Sequence, residues 1–124
     1  MIEPFAVTAR NDSGALALEL WGDVDGQALD PLLAAYAKAT ATLQVSEVIL
    51  DFGNVGYINS SGIALIVSLL GRARADHRRV AAVGLSEHYR QIFEITRLSD
   101  FIEIRDGSGR LADAPRRSPS TASG

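Results

Sequence analysis

Cysteine is absent from the 124-residue chain, which excludes disulfides and thiolate metal sites. Histidine is scarce: His77 and His88 are too few for a zinc site without carboxylates at ligand spacing, so no metal or other cofactor is expected. The first residues, MIEPFAV, lack the basic region and long apolar run of a signal peptide. The longest apolar segment carries Ser68 and is followed by Arg72 and Arg74, which makes it no membrane span. A cytoplasmic protein is the expectation. Basic charge is nearly missing from residues 1–51, which hold 8 acidic and 2 basic side chains. That asymmetry argues against a nucleic-acid groove, which needs a concentrated basic face, and favours a protein partner that reads charge. With 47% hydrophobic and 22% charged residues, the chain has the composition of one ordinary globular domain.

The chain is organised around Val48–Leu70, VILDFGNVGYINSSGIALIVSLL. Val48-Ile49-Leu50, closed by Asp51, reads as a strand buried on both faces. Gly53, Asn54 and Gly56 then predict a loop. After Asn59-Ser60-Ser61-Gly62, the residues Ile63, Ile66, Val67 and Leu70 fall at i, i+3, i+4 and i+7, one stripe of a helix. Hydroxyl side chains thus open a helix, where main-chain N–H groups lack partners and the dipole favours negative charge.

On the amino-terminal side, Phe5–Ala9 and Ala15–Trp21 read as strands joined by Asn11-Asp12-Ser13-Gly14, which has hairpin-turn chemistry. Gly22-Asp23-Val24-Asp25-Gly26 ends the second strand, and a helix is predicted over Gln27–Thr42 with Leu29, Leu32, Leu33 and Tyr36 inward. Beyond the central stretch come a strand at Val80–Val83 and a helix at Glu87–Thr96 capped by Ser86. A short strand is predicted at Phe101–Ile104. Residues 1–105 therefore form one α/β domain, a mixed sheet of about five strands with an antiparallel hairpin, parallel βαβ crossovers and three main helices. Residues 106–124, rich in Gly, Ser, Pro and Arg, are expected to be a disordered tail. Parallel neighbours carry their following loops to one edge, so Gly22–Gly26, Gly53–Ser61 and Gly84–Ser86 should converge there.

Gly22-Asp23-Val24-Asp25, Leu50-Asp51-Phe52 and Ile58-Asn59-Ser60-Ser61-Gly62-Ile63, in this order and spacing, resemble the STAS domain. Within that group the chain is most similar to the free-standing bacterial anti-sigma factor antagonists. The resemblance implies a non-enzymatic switch. In that family the serine just before the motif glycine is phosphorylated by the partner anti-sigma factor, a serine kinase, and only the unmodified form binds. Carried over, the modified residue is Ser61, and Asp23, Asp25, Asn59, Ser60, Ser61 and Gly62 belong to the partner-binding surface. The family commonly has aspartate two residues before the modified serine; this chain has Asn59, which keeps a capping oxygen without the charge. The resemblance implies no cofactor, no nucleic acid and no membrane, and a monomer or weak homodimer is expected.

Other readings of the same residues remain open. The edge could hold a nucleotide or another small anion at helix N-termini, or the domain could be a scaffold subunit of a signalling assembly. Hydrolysis by a Ser-His-Asp group is excluded, since His77 lies at the far end of the Ser61 helix and His88 at a surface position. Arg72, Arg74, Arg78 and Arg79 read as solvated cations around a helix end. On the helical wheel set by Ile63, Ile66, Val67 and Leu70, Leu65 points outward near Ser61 with Leu69 beside it. Leu65 is therefore expected to be exposed, as an anchor for the partner.

Overall fold

The computed structural model describes residues 4–105. Its strands are β1 (Ala6–Asp12), β2 (Ala15–Val24), β3 (Glu47–Ile58), β4 (Arg79–Val83) and β5 (Glu103–Arg105). The helices α1 (Leu29–Thr40), α2 (Ser60–Ala75) and α3 (Glu87–Ile95) alternate with β2 to β5, with single 3-10 turns at Gly26–Ala28 and Leu98–Asp100. The sheet order is β1-β2-β3-β4-β5. β1 and β2 are antiparallel, and every later pair is parallel. The expected hairpin turn forms with Ser13 and Gly14 both at positive φ, 56° and 89°, as a tight antiparallel connection requires. Gly14 N–H donates to Asn11 Oδ1 at 3.0 Å. The expected tail, residues 106–124, lies outside the described residues.

Three crossovers advance in one direction across the sheet, and right-handed connections then place every helix on the same face. The core agrees. Leu16, Leu18 and Leu20 from β2, Val48, Leu50 and Phe52 from β3, and Val80 and Ala82 from β4 share one cluster with the buried side chains of all three helices. These are alternate residues of each strand, so they line one face. The opposite face carries Ala17, Asp51, Ala81 and Val83, all buried, beside half-buried Glu19 and Ile49 and exposed Trp21. On that face of β3 Ile49 is half-buried and Asp51 is buried.

The structure corrects the sequence at three places. Gly53, Asn54 and Gly56 do not form a loop: β3 continues through them to Ile58, paired with Trp21–Val24 of β2. Two register shifts absorb the extra residues, between Glu19 and Trp21 and between Gly22 and Asp23 of β2. Glycines inside a strand mark such bulges as readily as they mark turns.

Secondly, α2 is rotated. Its buried residues are Gly62, Leu65, Ile66, Leu69, Leu70 and Ala73. Leu65 is 2% exposed, so it is no surface anchor, while Val67 is 50% exposed. Both stripes fit a helical repeat and differ by about 80° around the axis at 100° per residue. Gly62 decides between them. A Cβ there would lie 2.0 Å from Val24 O and 3.1 Å from Ile58 Cγ2, so only the bare glycine face can approach β2.

Thirdly, Arg78 is not solvated. Its Nε donates to Val45 O at 3.0 Å and its Nη1 to Tyr36 Oη at 3.0 Å, and it pairs with Asp76 at 3.3 Å. Tyr36, fully buried, donates its hydroxyl to Asp76 Oδ2 at 2.7 Å. This triad latches α1 to the turn after α2. Arg72, Arg74 and Arg79 are exposed as expected.

Candidate functional site

The three expected segments do converge at the carboxyl ends of β2, β3 and β4. β2 ends at Val24, whose carbonyl accepts from Asn59 N–H at 3.2 Å and is covered by the Gly62 backbone. The start of α2 is thereby fastened to the end of β2. On the far side Gly84, at φ +77°, approaches β3 so closely that a Cβ would fall 2.6 Å from Gly53 N. Asp51, buried, holds this crossing through Oδ1, which accepts from Gly53 N–H at 2.9 Å. Tyr89 of α3 closes the edge, its hydroxyl accepting from Ile58 N–H at 3.0 Å.

Asn59 is the N-cap of α2. Its Oδ1 accepts from Gly62 N–H at 2.8 Å, and its carbonyl accepts from Ile63 N–H at 2.9 Å. Among the described residues no hydrogen bond takes the N–H groups of Ser60 and Ser61, which remain at the positive end of a 16-residue helix. Both serine side chains are exposed. The capping role expected of Asn59 is thus present, and Ser60 and Ser61 occupy the first two helical positions.

Asp25 caps the neighbouring 3-10 turn, its Oδ1 accepting from Gln27 N–H at 2.9 Å. That turn brings Gly26 over Ser61: a Cβ on Gly26 would sit 3.4 Å from Ser61 Cβ and 3.9 Å from its Oγ. Asp23 lies on the other face of β2, paired in register with Tyr57, and is half-buried. So Asp25, Asn59, Ser60, Ser61 and Gly62 come together, Asp23 sits on the adjacent sheet face, and Leu65 belongs to the core.

Sequence reasoning missed four participants. Gly26 was legible as the last member of the Gly22–Gly26 loop but not as the residue beside Ser61. For Tyr89 the sequence carries no signal of the hydroxyl contact with Ile58. Trp21 and Tyr57, 41% and 51% exposed, are large side chains on the paired ends of β2 and β3, and Tyr57 lies in the strand extension that the glycines disguise as loop. Among the described residues no group of three or more His, Cys, Asp or Glu could hold a metal.

The family model described as Mlab, STAS domain matches residues 7–105, nearly the whole described chain. The chain belongs to the STAS-domain family. The anti-sigma-B factor antagonist of Listeria monocytogenes is 34% identical over 77 residues, spanning 60% of this chain and 68% of that protein. Its namesake in Staphylococcus epidermidis is 29% identical over 62 residues, spanning 50% of this chain and 57% of the relative. Both are named for antagonism of another protein, not for a chemical reaction. Among solved structures, the unphosphorylated anti-sigma factor antagonist SpoIIAA superposes with a TM-score of 0.66 at 19% identity, over 86% of this chain and 93% of that one. The phosphorylated form of the Bacillus protein gives 0.63 at 18% identity, over 86% and 97%. At such identity the likeness establishes the fold of this STAS domain. Among the described residues no helix is long and apolar enough to cross a membrane.

Proposed function

We propose that this STAS domain is an anti-sigma factor antagonist, a non-enzymatic binding protein switched by phosphorylation of Ser61. The unmodified chain binds an anti-sigma factor of the serine kinase type with the edge formed by Asp25, Gly26 and the start of α2. Phosphate on Ser61 ends that binding. The observation that carries the reading is the setting of Ser61: exposed, at the second position of α2, beside Gly26, on a helix end held by Asn59 and Gly62. A phosphate of about −2 charge suits a helix N-terminus, so the fold is expected to tolerate it while an acidic partner surface is repelled. Asp23, on the neighbouring sheet face, extends the contact. Action in the cytoplasm, as a monomer or weak homodimer, is part of the same proposal.

With Leu65 in the core, the outward stripe that continues from Ser61 is Ala64 and Ser68, both exposed. A partner helix would therefore meet small side chains on α2, with charge at Ser61 deciding the fit. The test is calorimetry against the cognate anti-sigma factor. Ser61→Ala should bind like the unmodified chain, and Ser61→Glu should bind at least about tenfold more weakly. Equal affinities for the three forms would sink the switch.

A further inference from the structure

A second feature lies at the opposite end of α2. Between the last turns of α2 and the segment joining α3 to β5 is a cleft of about 890 Å³, within the roughly 300–1,000 Å³ typical of small-molecule sites. Leu70, Val80, Leu98 and Ile102 form its apolar floor. Val67 and Phe101 wall it, Phe101 being 61% exposed. Thirteen residues of helix separate Ser61 from Arg74 on its rim, about 20 Å at 1.5 Å per residue, so this cleft is distinct from the Ser61 edge.

The rim is charged unevenly. Arg74, Arg79 and Arg97 line it together with Asp100 and Glu103. Both acids are already engaged: Asp100 with Arg97 at 3.0 Å, and Glu103 with Arg105 at 2.9 Å. Arg78 is committed to Asp76, Tyr36 and Val45. Among the described residues Arg74 and Arg79 make no ion pair. The Arg74 guanidinium lies 6.0 Å from the Phe101 ring centroid, so a cation stands directly beside an exposed apolar wall.

We propose that this cleft binds a single-chain amphiphile with an anionic head group, its chain over Leu70 and Ile102 and its head between Arg74 and Arg79. Charge complementarity sets the sign of the head group, and the apolar floor sets the tail.

Decanoate, kept below its micellar concentration, is the probe, with decyltrimethylammonium as the head-group control. Amide resonances of the full chain are followed by NMR during titration. Saturable shifts are expected around Val67, Gly71, Leu98 and Phe101, with decanoate at least about tenfold tighter than the cation. The Arg74→Gln/Arg79→Gln double variant should abolish that preference, since two exposed arginines can be replaced without disturbing the core. Val67→Trp, on an exposed wall position, should fill the cleft and abolish binding. Equal affinity for the two head groups, shifts that map elsewhere, no saturation, or unchanged decanoate binding in Val67→Trp would each overturn the proposal.

Discussion

Gly62 is the residue on which the geometry of the Ser61 edge depends, because it sets how closely α2 meets β2. A methyl group there would stand 2.0 Å from Val24 O, a main-chain atom already accepting from Asn59 and unable to move aside. Gly62→Ala is expected to destabilise the domain by about 1–3 kcal/mol, read as a lowered urea midpoint. An unchanged midpoint would mean that the helix end is loosely seated. Asn59 makes a complementary test. Asn59→Ala removes the oxygen that accepts from Gly62 N–H and should cost about 1 kcal/mol. Asn59→Asp keeps that oxygen and adds charge at the favourable helix end, so its thermal midpoint should equal or exceed that of the parent chain. A midpoint for Asn59→Asp as low as that of Asn59→Ala would show that the cap does not act through this oxygen. Asparagine in place of the family's usual aspartate is therefore no obstacle to building the site.

At the scale of elements, α2 shows how far the sequence could be read. Its existence and start were legible from Asn59 and the apolar spacing, and the expected antiparallel hairpin followed by parallel crossovers is that of the structure. Its rotation was not legible. Two apolar stripes overlap in Ile63–Leu70, and a wheel weighs side chains, whereas the choice was made by the missing side chain of Gly62. Extension of β3 was hidden for a related reason. Gly53 and Gly56 fit a loop or a bulge equally well, and only pairing with the long β2 resolves them. The rotation has measurable consequences. Leu65→Ala should cost about 2–5 kcal/mol, as buried leucines do. Ala64→Arg, on the exposed stripe, should change stability by less than about 0.5 kcal/mol while weakening anti-sigma factor binding through bulk. Denaturant unfolding and calorimetry on the two variants separate core from contact surface; the reverse pattern would restore Leu65 to the surface.

Across the whole molecule, one layer of helices on one face of the sheet leaves the carboxyl edge of the parallel strands to carry the proposed switch. The Tyr36–Asp76–Arg78 latch ties the opposite end together. Burial, reinforced by the hydrogen bond to Asp76, raises the Tyr36 pKa above its ordinary value of 10.0. The unfolded chain therefore releases this proton first as pH rises, so the stability contributed by Tyr36 is complete below about pH 10 and is lost above it. The urea midpoint should fall more steeply on the alkaline side in the parent than in Tyr36→Phe. Parallel alkaline limbs would show that the latch does not sense this proton. None of this chemistry reaches the Ser61 edge, where the account places its function. The central claim is that one phosphate there changes binding and not fold. Its most direct test is the affinity of the cognate anti-sigma factor for the chain carrying phosphoserine at position 61, beside the thermal midpoint of the same sample. The account predicts binding lost with the midpoint unchanged; binding retained, or binding lost together with the fold, would contradict it.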